Sequence, residues 1–510
     1  MSWLASTIRR KGTLFLVLAV AIASFVSHMD LVSASAPYSG HIDEPYLTTR
    51  AHDIIRTGEL NPQFFRYGSL PIYLAAAGEA LGIIQANKLE RVTVSDLHWT
   101  PYYSHAVVGT MMRTPFVLAG CACLVLVGLI ARRLYGSRLA MVTATLSATS
   151  LPLLHFHTWA YANVDILVTF FCLLTSCYVL WTSSQQTYQA KSFIPGVLCG
   201  LAISCKYTAG VMLLIPLLSI FLYGRRSRLR LAAALLVSSA LSFFVVMPYA
   251  LLDLAHFLDD VGAEVFHYNV SGHGRFTAVP GLPHLKLYLT ALRTQLGDVG
   301  LGLAAVGFVA AFKRNPKLAA VAFIGPLSLL AYICTLKVNF LRNILVVFPF
   351  ATIALGGAYT ASQQIASLLR SRIPTPYLQN YLAPLVIGAL MLTHTSMMPW
   401  YRFHVRSKPD TRIVLEDHLL HNFAKGSQLW IPEGAHISVE RLAKHFNVKR
   451  LNRNNVPKSL SGGLWLRPKF ANDKQAEPFM HLPCKVSFAV EGNALRKEIS
   501  RNPGVAVCSL

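Results

Sequence analysis

The chain alternates long apolar runs with short polar ones, and most of the runs have the length that crosses a bilayer. The first, from Thr13 to about Val32, follows Arg9, Arg10 and Lys11. Such a run crosses the hydrocarbon core as a helix. A secretory signal has a shorter apolar core and a small-residue cleavage site. Ala34-Ser35-Ala36 is a weak one, so the run reads as an uncleaved helix with its N-terminus inside. Further spans are predicted over 114–134, 139–154, 166–181, 231–252, 301–312, 318–336, 344–369 and 381–398. The stretch from Phe193 to Tyr223 is too long for one span and short for two. It is interrupted at Ser204-Cys205-Lys206-Tyr207, and the basic cluster from Arg225 to Arg230 that follows requires an even number of crossings. Two short helices meeting near Lys206 satisfy it, which makes eleven spans. Every strongly basic short turn then falls on one side, assigned to the cytoplasm, and two long polar loops, 33–113 and 253–293, fall on the other. Within the first of these loops, Leu47 to Ile55 and Pro71 to Ile84 pattern as amphipathic or interfacial helices.

From Tyr401 the pattern changes. Apolar residues come in short runs such as Leu429-Trp430-Ile431 and Val486-Ser487-Phe488-Ala489-Val490, punctuated by Gly and Pro. The expected architecture is an all-α polytopic membrane domain over 1–400, followed by a small α/β domain over 401–510. Parity places that domain outside the cytoplasm. No repeat or low-complexity tract is visible.

Composition agrees with this pattern. Of 510 residues, 54% are hydrophobic and 14% charged, a balance far from that of a soluble enzyme. The net charge of +23 is topological in a chain of this kind, and no nucleic-acid-reading motif accompanies it. Seven of the nine cysteines lie in apolar runs and read as small buried hydrophobes. Cys484 and Cys508 lie in the polar tail, where a disulfide and two free thiols are both open. No cysteine spacing implies zinc.

Chemistry concentrates at the outer ends of the spans. His41-Ile42-Asp43-Glu44-Pro45-Tyr46 places adjacent carboxylates just past the first helix, where they are costly unless they have a role. Asp43 has a structural reading, as N-cap of a helix beginning near Pro45, and a chemical one, as a general base. Transfer of a sugar from a phosphate leaving group with inversion needs one base and no general acid, unlike hydrolysis by two carboxylates. Asp165 either caps the fourth span or orients a sugar or cation beside Asp43 and Glu44. Lys206, Arg342 and Arg66 are candidate partners for a lipid phosphate. Lys337 reads as a side chain reaching from a span end to the interface. His267, His273 and Arg275 belong either to a solvated loop, to a sugar or phosphate contact, or to a divalent-cation site with Asp43 or Glu44. No Gly-rich nucleotide cradle is present, which argues against a nucleotide-sugar donor.

Four stretches carry a resemblance. They are Asp43-Glu44-Pro45-Tyr46 with Tyr67-Gly68-Ser69-Leu70-Pro71 downstream, His157 to Asp165, Gly200 to Tyr207, and Phe340-Leu341-Arg342-Asn343 leading into Phe348-Pro349-Phe350. In their order and spacing they resemble the GT-C glycosyltransferases of the protein O-mannosyltransferase and aminoarabinose transferase group, glycosyltransferase family 39. The resemblance implies a polyprenyl-phosphate sugar donor, inverting transfer on the outer face of the plasma (inner) membrane, and an aspartate base in the first outer loop, which falls on Asp43. It also draws Tyr67 into the donor site. It implies acceptors among proteins, lipids and surface glycans without choosing one, and no cofactor beyond a divalent cation as an open alternative. The rival expectations are a transporter or flippase of lipid-linked glycan, and a polyprenyl-phosphate-binding scaffold without catalysis.

Overall fold

A computed structural model describes residues 2–36, 38–41, 43–90, 105–183, 192–224, 227–369, 410–432, 437–452, 460, 463–468, 482, 485–490 and 505–509. The expected span over 381–398 and Cys484 lie outside them. Among the described residues six helices are long and apolar enough to cross a membrane, or seven if one bent pair counts as a span.

The helix α1 (Ser2–Ser35) leads into a short loop and then α2 (Glu44–Thr57) and α3 (Leu70–Glu90), the two helices expected inside the first long loop. Pro45 in the first turn and Gly58, in the left-handed conformation just past the end, bound α2 as capping rules require. The second span, α4 (Ala106–Tyr135), starts eight residues before the expected Thr114. Pro115 sits inside the helix. Arg113, expected in the loop, is thereby wholly buried within α4. The third span is bent by 67° between α5 (Arg138–Thr149) and α6 (Pro152–Trp159), and α7 (Val164–Thr182) returns.

The ambiguous stretch resolves as two helices. α8 (Phe193–Ile203) ends at Ser204, and a 3-10 turn (Tyr207–Leu213) runs into α9 (Leu214–Tyr223). Lys206 lies at the junction and meets Asp165 at the start of α7, while Ser219 near the end of α9 bonds Ser183, just past the end of α7. The chain therefore goes to the Asp165 end and comes back, with Lys206 at the apex.

Next come α10 (Arg228–Val246), α11 (Tyr249–Leu252) and α12 (Leu254–Phe266). Segment 253–293, expected to be the second long outer loop, holds the whole of α12. That helix turns Asp253 and Asp260 toward Asn61 and the Phe65 amide, and leaves Leu254, Leu258, Val265 and Phe266 exposed. The short span expected over 301–312 is the second half of α13 (Leu282–Arg314), which breaks at Gly297, where φ is +69°. α14 (Pro316–Cys334) and α15 (Val347–Leu369) complete the described bundle. Helices touch through glycine: a Cβ on Gly307 would lie 1.7 Å from the Ala354 carbonyl oxygen, and small residues allow this close approach between membrane helices.

Beyond the bundle lie α16 (Thr411–Asn422), β1 (Gln428–Pro432), α17 (Val439–Ala443), β2 (Asn447–Leu451), β3 (Leu464–Pro468), β4 (Lys485–Val490) and β5 (Val505–Ser509). The sheet order is β2-β1-β3-β5-β4, parallel over the first three strands and antiparallel thereafter. Cys508 on β5 is disulfide-bonded, and the seven cysteines of the membrane domain are buried.

Candidate active site

One end of the bundle collects charge. Asp43 stands at the N-cap position of α2, yet its side chain makes no capping bond. Instead its Oδ2 meets Arg342 Nη2 at 2.8 Å. Arg342 Nε lies 3.8 Å from Asp165 Oδ2, and Lys206 Nζ bonds Asp165 Oδ1 at 2.8 Å. Asp165 does not cap its helix either. Asn163 does so, accepting from the Ile166 amide at 3.0 Å, which leaves the Asp165 carboxylate to the two cations. Four charged groups from four separate segments thus form one chain along a recess of about 280 Å³ lined also by Leu47, Tyr67 and Tyr161.

The supports of this quartet are polar and mostly buried. Asn343 accepts from Lys206 Nζ at 3.0 Å and from the Tyr268 hydroxyl at 3.2 Å. The Arg342 guanidinium lies 4.0 Å from the centre of the Phe340 ring. Burial works against the charge of Arg342, but Asp43, then Tyr161 and Asp165, outweigh it and hold it protonated more firmly than an ordinary arginine. His41 accepts the Asp43 amide on Nδ1 at 3.1 Å and stacks on Tyr161. Its pKa is pulled down to about 4, mainly by burial, so it is neutral at physiological pH. Burial raises the Tyr67 hydroxyl well above its ordinary value, so it stays protonated.

Glu44 is placed otherwise than expected of a catalytic group. It points away from the recess into a wholly buried fork. Arg113 donates to both of its oxygens, at 2.7 and 2.9 Å, and the amides of Gly40 and Ala162 add bonds of 3.0 and 2.9 Å. Glu44 therefore ties the first loop to α4 and to the turn before α7. Arg66 is half exposed and faces Asp260 at 3.7 Å, outside the quartet. His267 and His273 meet edge to face, and His273 lies against Phe340. Arg275 covers the Phe276 ring. These three stand one layer behind Arg342. Among the described residues no group of three or more His, Cys, Asp or Glu is arranged to hold a metal ion, so the cation site with Asp43 or Glu44 is not assembled. Lys337 is half-buried and bonds the Val270 carbonyl, in keeping with an interfacial side chain.

Arg113, Tyr161, Tyr268 and Asn343 were not singled out from the sequence. Arg113 carried a signal, a lone cation between two apolar runs that needs a buried partner. The other three are ordinary polar residues whose roles depend on neighbours 75 to 137 positions away, and no local pattern marks them.

Comparison with known proteins bears on the fold. Residues 104–251 match the family described as dolichyl-phosphate-mannose-protein mannosyltransferase. The crystal structure of ArnT from Cupriavidus metallidurans bound to undecaprenyl phosphate is similar with a TM-score of 0.57 at 12% identity, over 97% of this chain and 98% of that one. The archaeal oligosaccharyltransferase AglB from Archaeoglobus fulgidus, in complex with an inhibitory peptide and a dolichol-phosphate, is similar with a TM-score of 0.50 at 12% identity, over 83% of this chain and 62% of that one. No curated protein sequence matches. At these identities the likeness establishes the fold: the chain is a multi-pass membrane protein of GT-C architecture.

Proposed function

We propose that this protein is an integral-membrane inverting glycosyltransferase that moves a sugar from a polyprenyl-phosphate donor to a lipid, glycan or protein acceptor. The observation that carries the reading is the Asp43–Arg342–Asp165–Lys206 chain in a single recess at one end of the bundle. The acceptor hydroxyl attacks the anomeric carbon of the donor as the bond from that carbon to the phosphate oxygen breaks. The hydroxyl proton passes to Asp43, and the electron pair of the broken bond leaves with polyprenyl phosphate. Lys206 and Arg342 carry the charge that grows on that phosphate, the kind of fixed stabilisation that lowers such barriers most. Asp165 holds both cations in place.

Orientation follows from charge. Arg132, Arg133, Arg138, Arg228, Arg230, Lys313, Arg314 and Lys317 lie on helix termini at the end opposite the quartet. The positive-inside rule puts that end in the cytoplasm, so the recess and the C-terminal unit face outward from the plasma (inner) membrane. A flippase of lipid-linked glycan would place its charges midway through spans and show repeats; among the described residues the charged quartet lies at one end of the bundle, and the sequence shows no clear repeat.

The test is transfer in proteoliposomes from undecaprenyl-phosphate-linked sugar to total cell-envelope extract, with products read by mass spectrometry. Asp43→Asn is expected to lower transfer by about 10²–10⁴-fold while polyprenyl phosphate still binds. Unchanged transfer in that variant would remove Asp43 from the chemistry and favour a binding or transport role.

A further inference from the structure

Among the described residues, the C-terminal unit is fastened to the loop that leads to Asp43 at Tyr38 and Ser39. Tyr38 is wholly buried, and its ring belongs to the apolar core of the C-terminal unit, among Leu415, Leu419, Ile431, Leu442 and Phe446. Its hydroxyl donates to Glu416 on α16 and accepts from the Ser438 amide at 3.2 Å. The Arg412 guanidinium lies over the ring, 4.3 Å from its centre, and bonds the Ser39 carbonyl at 3.3 Å.

The backbone of the same residue faces the reaction centre. The Tyr38 carbonyl accepts from Arg113 Nη2 at 2.6 Å, and the same nitrogen bonds Glu44 Oε2. Glu44 is the neighbour of Asp43 and also receives the Gly40 amide. The loop runs against Ala160 at this point and cannot move closer, since a Cβ on Gly40 would already lie 1.8 Å from the Ala160 carbonyl oxygen. From Tyr38 to Glu44 the chain is therefore pinned on one side by the C-terminal unit and on the other by α4 and the turn before α7.

We infer that the C-terminal unit is a positioning element for the reaction, and that Tyr38 is the positioning residue through which it sets the segment bearing Asp43. This rests on the reading of Asp43 as proton acceptor. A base acts only when held in reach of the attacking hydroxyl, and a shift of about 1 Å from a distant change can cost roughly a hundredfold in rate. An anchor with no such role would hold the unit in place and leave the geometry of Asp43 to the membrane helices.

The two roles separate in the full-length protein in nanodiscs. Hydrogen exchange by mass spectrometry follows the peptide 38–48 and the peptides of 410–509, and the transfer assay gives turnover and donor KM. With Tyr38→Ala, exchange in 38–48 is expected to quicken by about tenfold and turnover to fall by about a hundredfold with donor KM little changed. Tyr38→Phe, which retains the ring in the core, is expected to restore most of both. Loosening confined to 410–509, with 38–48 and turnover as in wild type, overturns the inference. If Tyr38→Ala does not fold, Leu442→Ala loosens the unit's core without altering the loop's own sequence, and the same two readouts should then move together. Independence of the two overturns the inference there. The exchange readout does not depend on the assignment of Asp43. Failure of the enzyme reading, seen as transfer surviving Asp43→Asn, is thus distinct from failure of this one.

Discussion

Asp43 and Glu44 are adjacent in sequence and opposite in circumstance. Asp43 is about one-fifth exposed and faces a recess, whereas Glu44 is sealed between Arg113 and two amides. A buried ion pair adds little net stability while intact, but removing one partner strands a charge and costs about 3–5 kcal/mol. Arg113→Met is therefore expected to lower the unfolding temperature sharply, and Glu44→Gln to lower it less because the amide keeps part of the fork. Asp43→Asn should leave it nearly unchanged and abolish transfer. Thermal unfolding followed by tryptophan fluorescence checks all three, and a stable Arg113→Met protein would contradict the brace. Asp165 makes a second contrast. The quartet balances two carboxylates against Arg342 and Lys206, so an arriving phosphate competes with Asp165 for both cations. Asp165→Asn is expected to tighten binding of undecaprenyl phosphate several-fold, about 1 kcal/mol, while slowing transfer, as titration calorimetry and the transfer assay would show. Weaker binding in that variant would mean that the carboxylate holds the cations in place more than it competes for them. The sequence marked Asp43, Asp165, Lys206 and Arg342 because each is a charge beside apolar residues. It assigned the base to Asp43 but did not show that Glu44 is withdrawn from the recess, since that depends on Arg113, 69 positions further along the chain.

At the level of elements, the site is assembled where loops dock on helix ends. The segment after Arg66 pairs with the Lys206 apex: the Gly68 amide bonds the Cys205 carbonyl and the Leu70 amide the Ser204 carbonyl, both at 3.1 Å. Gly68 has ordinary dihedrals here, so contact rather than conformation requires glycine. A Cβ there would lie 1.9 Å from the Ser204 carbonyl oxygen. Gly68→Ala is expected to push this segment off the apex, carrying Tyr67 out of the recess. Undecaprenyl-phosphate binding should weaken by about tenfold or more with helix content by circular dichroism unchanged, and wild-type affinity would show that the contact can relax. The two-helix reading of 193–223 was accessible from charge parity alone, because basic turns on either side fix the number of crossings. Boundaries were less accessible. The expected start at Thr114 and the expected loop end near Arg293 both miss the observed helices, since packing in a bundle tolerates Pro115 inside α4 and a kink at Gly297 inside α13 where neighbouring helices cover them. The apolar face of α12 was missed for a related reason: its polar residues, spaced for a solvent-facing side, bind the first loop instead.

For the molecule as a whole, the sequence suggested two domains joined end to end, a bundle and an α/β appendage. The change in periodicity after Tyr401 is real, but it does not disclose that the appendage takes Tyr38 into its core, because a single aromatic residue after a span carries no trace of its partner. Glu416 makes that junction sensitive to pH. It faces the Tyr38 hydroxyl from the first loop, Arg441 from α17, and Arg412 and Asp417 from its own helix. Burial is the dominant influence and lifts its pKa to about 6, against the attraction of Arg441, the Tyr38 bond and Arg412, with Asp417 adding to the rise. A carboxyl raised on folding binds more protons folded than unfolded between its two pKa values, so stability falls as pH rises through that interval. The junction is expected to be firmest below about pH 4.5 and to lose about 2 kcal/mol by pH 7, the direction opposite to an ordinary salt-bridged carboxylate. Glu416→Gln should flatten this dependence. Limited proteolysis of the C-terminal unit in the full-length protein, run between pH 4.5 and 7 with cleavage rates normalised to an unstructured substrate, reads it directly. Cleavage that slows as pH rises would mean that Arg441 and Arg412 outweigh burial and that Glu416 is charged throughout.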